Sequence, residues 1–209
     1  MTDREEFLEI FRTHVTRPGS EKLLDWMDSK TDFFSAPAST LFHGACDGGL
    51  CAHSLNVYRV LHGTFFTPDE DSEETFAICA LLHDLCKANF YKKGTRNVKN
   101  EATGQWEKVP SYSVEDMFPY GHGEKSVFLI ERFMKLKVEE AVAIRWHMGG
   151  FDESVKGGSF ALAHAFEKYP ARGKSCIFPN LERPICTKTG VNEHENPDLY
   201  PENRTAGLL

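Results

Sequence analysis

The feature that most constrains the fold of this 209-residue chain is an apolar run that ends in a histidine and an aspartate. Residues 77–82 are all apolar, and His83 and Asp84 follow them directly, with Lys87 three residues further on. Because the apolar positions go nearly all the way round a helix, the run predicts a buried helix that continues to Lys87 and carries His83 and Lys87 on one face. An imidazole and a carboxylate buried there need a compensating partner, which is either an ion-pair partner or a divalent metal ion.

Three further histidines lie on or beside predicted helices. His53 belongs to a helix that opens at Leu50, on the side that its apolar residues predict to be buried. His122 stands between two glycines just before another helix, where close backbone approach and free amide groups suit an anion. His147 falls in the last turn of a helix predicted over residues 138–148. Taken singly, each pattern is more typical of a core or loop histidine, but together they favour one shared metal site.

Four sequence blocks, in this order along the chain, resemble the HD superfamily of metal-dependent phosphohydrolases. The blocks are residues 42–54, 82–87, 120–126 and 145–147, and the resemblance covers about residues 35–170. The same blocks are similar to the HD module of a bacterial 3′-5′ exoribonuclease. The resemblance implies an all-α helical bundle that binds one or two divalent cations, which are Mn, Fe, Zn, Ni or Mg.

The resemblance also implies roles for individual residues. The expected metal ligands are His53, His83, Asp84, His122 and His147. Asp84, Lys87 and His122 are the expected catalytic residues, and the expected reaction is hydrolysis of a phosphomonoester or phosphodiester of a nucleotide by a metal-activated water. The family places a further Asp ligand late in the domain, whereas this chain has no Asp between Asp152 and Asp198. The alternative is therefore a catalytically impaired module that binds a nucleotide or a metal ion in a regulatory role.

Residues 90–113 differ from their helical surroundings. Apolar and aromatic residues flank a turn near Gly104, which predicts a small β-hairpin inserted into the bundle. The same stretch carries a cluster of Lys and Arg residues in an otherwise acidic chain. The cluster is either a solvated face of the hairpin or a flap that contacts phosphate oxygens. In the second interpretation Arg96 binds the substrate, together with His43 and Lys125.

The remaining patterns predict the domain organisation and the compartment. Residues 1–170 are expected to form the helical domain, and residues 171–209, rich in Pro, Asn and Glu, an irregular tail. The six cysteines form no CxxC pair, and Cys79 and Cys86 are interpreted as small hydrophobic residues. Reduced thiols and a polar N-terminus predict a cytoplasmic protein.

The charge of the chain limits the classes of partner. A net charge of -7 argues against a dedicated nucleic-acid binder, whose surface is usually basic, and so against RNA processing as the function. No apolar stretch approaches the roughly 20 residues of a membrane span. We therefore expect a small-molecule phosphate ester or nucleotide as the partner and no membrane. A nucleic acid is disfavoured without being excluded, and the sequence leaves the oligomeric state open.

Overall fold

The computed structural model describes residues 1–41, 44–101 and 103–168, which form a mainly helical domain with one two-stranded antiparallel sheet. The helices are α1 (Asp3–His14), α2 (Ser20–Lys30), α3 (Gly49–Phe65), α4 (Glu73–Leu82), α5 (His122–Glu131), α6 (Val138–Arg145), α7 (Glu153–Lys156) and α8 (Ala161–Lys168). The strands are β1 (Tyr91–Lys99) and β2 (Trp106–Val114). The helical class and the hairpin insertion are therefore as predicted.

Polar residues explain where two of the helices begin. The Thr2 hydroxyl accepts the Glu5 N–H at 3.3 Å and the Glu5 carboxylate accepts the Thr2 N–H at 2.8 Å, so α1 starts with a capping box. The Ser72 hydroxyl accepts the Thr75 N–H at 3.3 Å at the start of α4, whose first turn also carries two glutamates. From this fixed start α4 runs inward, and every residue from Phe76 to Leu82 is buried.

The hydrophobic core lies where α3 and α4 pack against each other and against α1. Phe7 and Phe11 of α1 and Phe33 after α2 are fully buried in it. α6 also contacts α4, and α5 packs against both α6 and the 3₁₀ turn Leu85–Lys87. The end of α4 and the 3₁₀ turn after it are therefore enclosed by α3, α5 and α6, the elements that carry or precede the predicted metal ligands.

The apolar run does not form one continuous helix. α4 ends at Leu82, His83 is its C-cap, and the 3₁₀ turn Leu85–Lys87 follows. Between them Asp84 has φ −100° and ψ 19°, outside the α-helical region. The prediction of a helix as far as Lys87 was wrong, because an apolar pattern reports burial and does not report a break in the backbone. As a result Lys87 contacts the Asp84 carboxylate, at 2.7 Å, instead of sharing a helix face with His83.

The hairpin projects from the helical domain and is anchored at its base. β1 and β2 pair along their whole length, and most of their side chains are exposed, including Trp106 at 70%. At the base, Asp47 accepts a hydrogen bond from the Tyr112 hydroxyl at 2.7 Å and one from the Lys93 ammonium at 2.8 Å. These contacts attach the hairpin to the loop that precedes α3.

Some predictions concern the ends of elements or lie outside the described residues. The helix predicted over 138–148 ends at Arg145, and a turn carries the chain on to His147. His43 and the predicted tail, 171–209, are outside the described residues. None of the helices in the described part of the chain combines the length and the apolar character needed to cross a membrane.

Candidate metal centre

Asp84 is the centre of a cluster that contains four of the predicted ligands besides itself. Its side chain is completely buried. One carboxylate oxygen, Oδ2, lies 3.4 Å from Nε2 of both His53 and His83. The other oxygen, Oδ1, lies 3.0 Å from Nε2 of His122 and 3.5 Å from Nε2 of His147. A single carboxylate is thus the meeting point of residues from four elements: α3, the end of α4, the start of α5 and the turn after α6.

The backbone fixes the orientation of two of these imidazole rings. The His83 Nδ1–H donates to the Ala80 carbonyl at 2.8 Å, and the His147 Nδ1–H donates to the Ile144 carbonyl at 2.7 Å. Because a carbonyl oxygen only accepts, Nδ1 must carry the proton in both rings, and in the neutral ring Nε2 then keeps its lone pair. Both lone pairs are directed at Asp84, which is the arrangement that metal-binding histidines adopt.

His53, His83 and Asp84 form a first group whose spacing fits a metal ion. The two Nε2 atoms are 3.2 Å apart, and each is 3.4 Å from Asp84 Oδ2. A tetrahedral ion bound at about 2.0–2.2 Å places its ligand atoms roughly 3.3–3.6 Å apart. The triangle of two nitrogens and one oxygen therefore has the size that a single cation needs, and a cation would take the place of the proton in the hydrogen bond between the two nitrogens.

Asp84, His122 and His147 form a second group that shares the same carboxylate. Their ligand atoms also lie within 4.8 Å of one another. Oδ1 of Asp84 is buried and, within the described part of the chain, no donor reaches it with good hydrogen-bond geometry, although His122 Nε2 is 3.0 Å away. A buried carboxylate oxygen in that condition is costly unless a cation completes its surroundings. The residues present therefore fit one cation at the first group and a second at the other oxygen of Asp84.

The charges in the cluster follow from its burial and its neighbours. Burial by itself would raise the pKa of Asp84, but Lys87 and the surrounding histidines hold that pKa well below its usual value. Burial would lower the pKa of His122, yet the adjacent Cys86 and Asp84 raise it to about 10. Burial dominates at His147 and lowers its pKa. Without a metal ion, Asp84 is thus ionised, His122 is protonated and His147 is neutral, so a cation that binds His122 must displace a proton.

The two lysines of the predicted site have different surroundings. Lys87 is largely buried, and its ammonium lies 2.7 Å from Asp84 Oδ2, inside the cluster. The Lys125 ammonium donates instead to Asp116 at 2.6 Å and lies over the rings of Phe90 and Phe118, 5.1 Å and 5.8 Å from their centroids. In this arrangement the Lys125 charge is neutralised by Asp116, and Lys87 is the cation next to the metal centre.

The other predicted substrate contacts lie on the surface or outside the described residues. Arg96 is exposed in the middle of β1, opposite Val109. His43 lies outside the described residues. Asp152, the last aspartate before the gap in the sequence, accepts a hydrogen bond from Arg145 at 2.8 Å and caps α7. Asp152 therefore serves the packing of α6 and α7 in the described structure.

Sequence reasoning missed one contact of the cluster. Cys86 was interpreted as a small hydrophobic residue, but its sulfur lies 3.3 Å from His122 Nδ1. Its backbone N–H donates to the buried Ser126 hydroxyl at 3.0 Å. No pattern in the sequence predicts this contact, because it depends on where the chain turns after Asp84 and on how α5 packs there.

Comparison with known proteins identifies the family of this chain. The family model described as HD domain matches residues 50–186, which is more than half of the chain and includes every member of the Asp84 cluster. No curated protein and no solved structure matches the chain. The similarity to an exoribonuclease module therefore stays a prediction.

Proposed function

The chain belongs to the HD domain family of metal-dependent phosphohydrolases, and from this premise we propose that it hydrolyses a nucleotide phosphate ester with one or two divalent cations held by the Asp84 cluster. The observation that carries the proposal is the shared carboxylate. Each oxygen of Asp84 faces its own pair of imidazole nitrogens, at 3.0–3.5 Å. This is a donor set of mixed nitrogen and oxygen ligands, which suits Mn, Fe, Zn or Ni.

The roles of the residues in the proposed reaction follow from their burial and their charge. A bound cation supplies Lewis acidity and lowers the pKa of a water molecule. Lys87, whose ammonium is already beside Asp84, is placed to offset negative charge that develops on the phosphoryl group. His53, His83 and Asp84 are at most 3% exposed and act as ligands that keep the centre dry.

The substrate is proposed to approach the cluster from the side on which His122 lies. Its side chain is 30% exposed, whereas that of His147 is 2% exposed. Solvent therefore reaches the cluster on the His122 side. When a cation occupies only the first group, His122 keeps its proton and, next to the incoming ester, is suited to donate it to the leaving oxygen.

An aromatic surface next to His122 supports a nucleotide as the substrate. Phe118, Tyr120 and Phe128 pack on one another with ring centroids 5.2–5.4 Å apart, and each is between 37% and 51% exposed. Tyr120 precedes His122 by two residues, a reach of at most about 7 Å along the backbone. Because Tyr120 belongs to this surface, the partly exposed rings lie near the start of α5 and provide a face on which a base can stack.

A second candidate function is a module that binds a nucleotide or a metal ion without turnover. It is favoured by the missing late ligand: the sequence has no Asp between Asp152 and Asp198, and Asp152 is already bound to Arg145. If an incomplete set of ligands still binds a cation, the protein would act as a sensor and not as an enzyme.

One experiment separates these possibilities. The protein is purified anaerobically, reconstituted with each candidate metal and analysed for bound metal. It is then assayed for release of phosphate and nucleoside from nucleotides, of nucleoside monophosphate from cyclic nucleotides, and of phosphate from glycerol phosphate. His83→Ala tests the centre, and His62→Ala, a histidine on α3 that is bound to Glu73, is the matched control. Metal-dependent turnover that His83→Ala abolishes and His62→Ala preserves supports the enzyme. Bound metal without turnover supports the second candidate, and a protein that binds no metal overturns the enzyme and the assignment of the Asp84 cluster as a metal site.

A further inference from the structure

The start of α5 and the end of α6 approach each other more closely than a side chain between them would allow. Gly123 is the second residue of α5 and is buried, and Arg145 is the last residue of α6. A β-carbon added at Gly123 would lie 2.7 Å from the carbonyl carbon and 2.8 Å from the Cα of Arg145, and closer still to the carbonyl oxygen. Carbon atoms in contact are normally about 3.5–4.0 Å apart, so only glycine fits here unless the backbone moves.

Two of the candidate metal ligands flank this contact. His122 directly precedes Gly123, and His147 lies two residues after Arg145. The two imidazole rings have centroids 4.9 Å apart, and their Nε2 atoms are 3.0 Å and 3.5 Å from Oδ1 of Asp84. The separation of the two helix ends at Gly123 therefore sets the separation of the two imidazoles of the second group.

A side-chain contact holds the same junction together. The Arg145 guanidinium forms an ion pair with the carboxylate of Glu124, the residue after Gly123. The first group of ligands lies outside this junction, because its two histidines come from α3 and from the end of α4. A change in the separation of α5 and α6 should therefore affect the second group and spare the first.

We propose that Gly123 is a positioning residue of the second group of ligands: the missing side chain lets the start of α5 reach the end of α6, and this close approach brings His122 and His147 to one oxygen of Asp84. An alanine at position 123 must move the two helix ends apart by about 1 Å before its β-carbon reaches an ordinary contact distance. Ligand distances in a metal site tolerate only about ±0.2 Å. The proposal rests on the proposed function, since it assumes that the cluster binds metal.

The test measures the affinities of the two cations separately. The wild type and each variant are titrated with zinc in a calorimeter, and His83→Ala and His147→Ala assign the two binding events to the first and the second group. Loss of an interaction that orients a ligating residue typically weakens metal binding about 10–100-fold. We expect that loss for the second cation in Gly123→Ala, with an unchanged affinity for the first cation, which also shows that the variant is folded.

Two other glycines provide matched controls. A β-carbon at Gly19 would lie 2.8 Å from the carbonyl carbon of Phe133, beyond the far end of α5, so Gly19→Ala introduces a similar clash about 15 Å along that helix from His122. A β-carbon at Gly63 on α3 would have no atom within 4 Å. We expect Gly19→Ala to lower the free energy of unfolding and Gly63→Ala not to lower it, with wild-type affinity for both cations in each. A loss of the second cation in Gly19→Ala equal to that in Gly123→Ala would overturn the inference.

A second variant loosens the junction without a clash and decides the question if circular dichroism shows that Gly123→Ala does not fold. Glu124→Gln weakens the ion pair with Arg145, which should lower the affinity for the second cation about two- to fivefold and leave the first unchanged. An unchanged second cation in the deciding variant, or equal weakening of both cations, overturns this inference alone, as does a wild type that binds zinc only at the first group. A wild-type protein that takes up no zinc overturns the proposed function itself.

Discussion

Two carboxylates of this protein, Glu140 and Asp84, are completely buried, and their surroundings differ. Both oxygens of Glu140 are satisfied. Oε1 accepts from Arg17 and from the Thr75 hydroxyl, each at 2.8 Å, and Oε2 accepts from Arg17 at 2.7 Å and from the Lys137 backbone N–H at 2.8 Å. The bidentate pairing with a guanidinium is the geometry that best compensates a buried carboxylate.

Asp84 has more charged neighbours and fewer good hydrogen bonds. Lys87 donates to Oδ2 at 2.7 Å, but Oδ1 meets imidazole nitrogens without good donor geometry. This difference in hydrogen bonding distinguishes a structural carboxylate from a functional one. The Glu140 site is complete as it stands. At the Asp84 site four imidazole nitrogens converge on one carboxylate, and Oδ1 of that carboxylate lacks a well-placed donor within the described residues, which is the arrangement expected of a site built for a cation.

The largest predicted effect comes from replacing Asp84. Asp84→Asn keeps the size of the side chain and removes the shared charge, so we expect loss of bound metal and a fall in kcat/KM of at least about 10³-fold. Added metal should raise the Tm of the wild type and leave the Tm of this variant unchanged, because only the folded wild type binds it. Elemental analysis, a phosphate-release assay and thermal unfolding measure the three quantities. Metal-dependent stabilisation of Asp84→Asn equal to that of the wild type would contradict the assignment of Asp84 as the shared ligand.

The opposite outcome is expected at Glu140. Glu140→Gln leaves the partly buried Arg17 charge with Glu74 as its remaining carboxylate, so we expect the free energy of unfolding to fall by about 3 kcal/mol, the lower end of the range for breaking a buried pair, measured by urea denaturation. The activity of the remaining folded protein and its metal content should not change. The control is the double variant Arg17→Met with Glu140→Met, which removes both charges and should recover part of the lost stability. A Glu140→Gln protein that keeps its stability but loses its metal would contradict the distinction between a structural Glu140 and a functional Asp84.

The sequence predicts the two carboxylates unequally, for a physical reason. His83 and Asp84 end a run that must be buried, so their pattern alone indicates a compensated site. Glu140 is one of two adjacent glutamates at the start of α6, a position where acidic residues are common on exposed helices. Its partner Arg17 is 123 residues away in the chain, and only the packing of α6 near the N-terminal helices brings them together.

The predictions that failed or stayed incomplete have the same origin. Composition and periodicity place residues on elements, and so the helical class and the hairpin were predictable. They do not show where a buried helix breaks, which is why the end of α4 at Leu82 was missed. They also do not show that Lys125 turns to Asp116 or that Cys86 reaches His122, since both contacts are made between separate elements.

A smaller effect is predicted for Lys87, which tests the charge balance at Asp84. Lys87→Met removes the ammonium 2.7 Å from Oδ2 while keeping the length of the side chain. We expect kcat to fall about 10²-fold, in the range found when one charge-stabilising donor is removed, with the metal still bound. Lys87→Arg restores a cation and should recover part of kcat in the same steady-state assay. Loss of the metal from Lys87→Met together with its activity would indicate that Lys87 supports the ligands and not the substrate.

The smallest predicted effect concerns Glu74, the second carboxylate bound to Arg17. The Glu74 carboxylate accepts from the Arg17 side chain at 3.0 Å and from the Thr16 N–H at 2.9 Å. Burial alone would raise its pKa, but these hydrogen bonds lower it below the ordinary value of 4.5. A carboxylate with a lowered folded-state pKa stabilises the protein at pH values above the unfolded-state pKa, and this contribution is lost as the pH falls through the folded-state pKa.

Glu74→Gln should therefore be less stable than the wild type near neutral pH, by less than about 1 kcal/mol because Glu74 is partly exposed. The difference should shrink in acid, once the wild-type carboxylate is protonated. Urea denaturation at a series of pH values measures it, and turnover at neutral pH should equal that of the wild type. A constant difference at every pH would mean that Glu74 acts through packing. A change in metal affinity would mean that the Arg17 network and the Asp84 cluster are coupled, and the two buried carboxylates could then no longer be treated as independent.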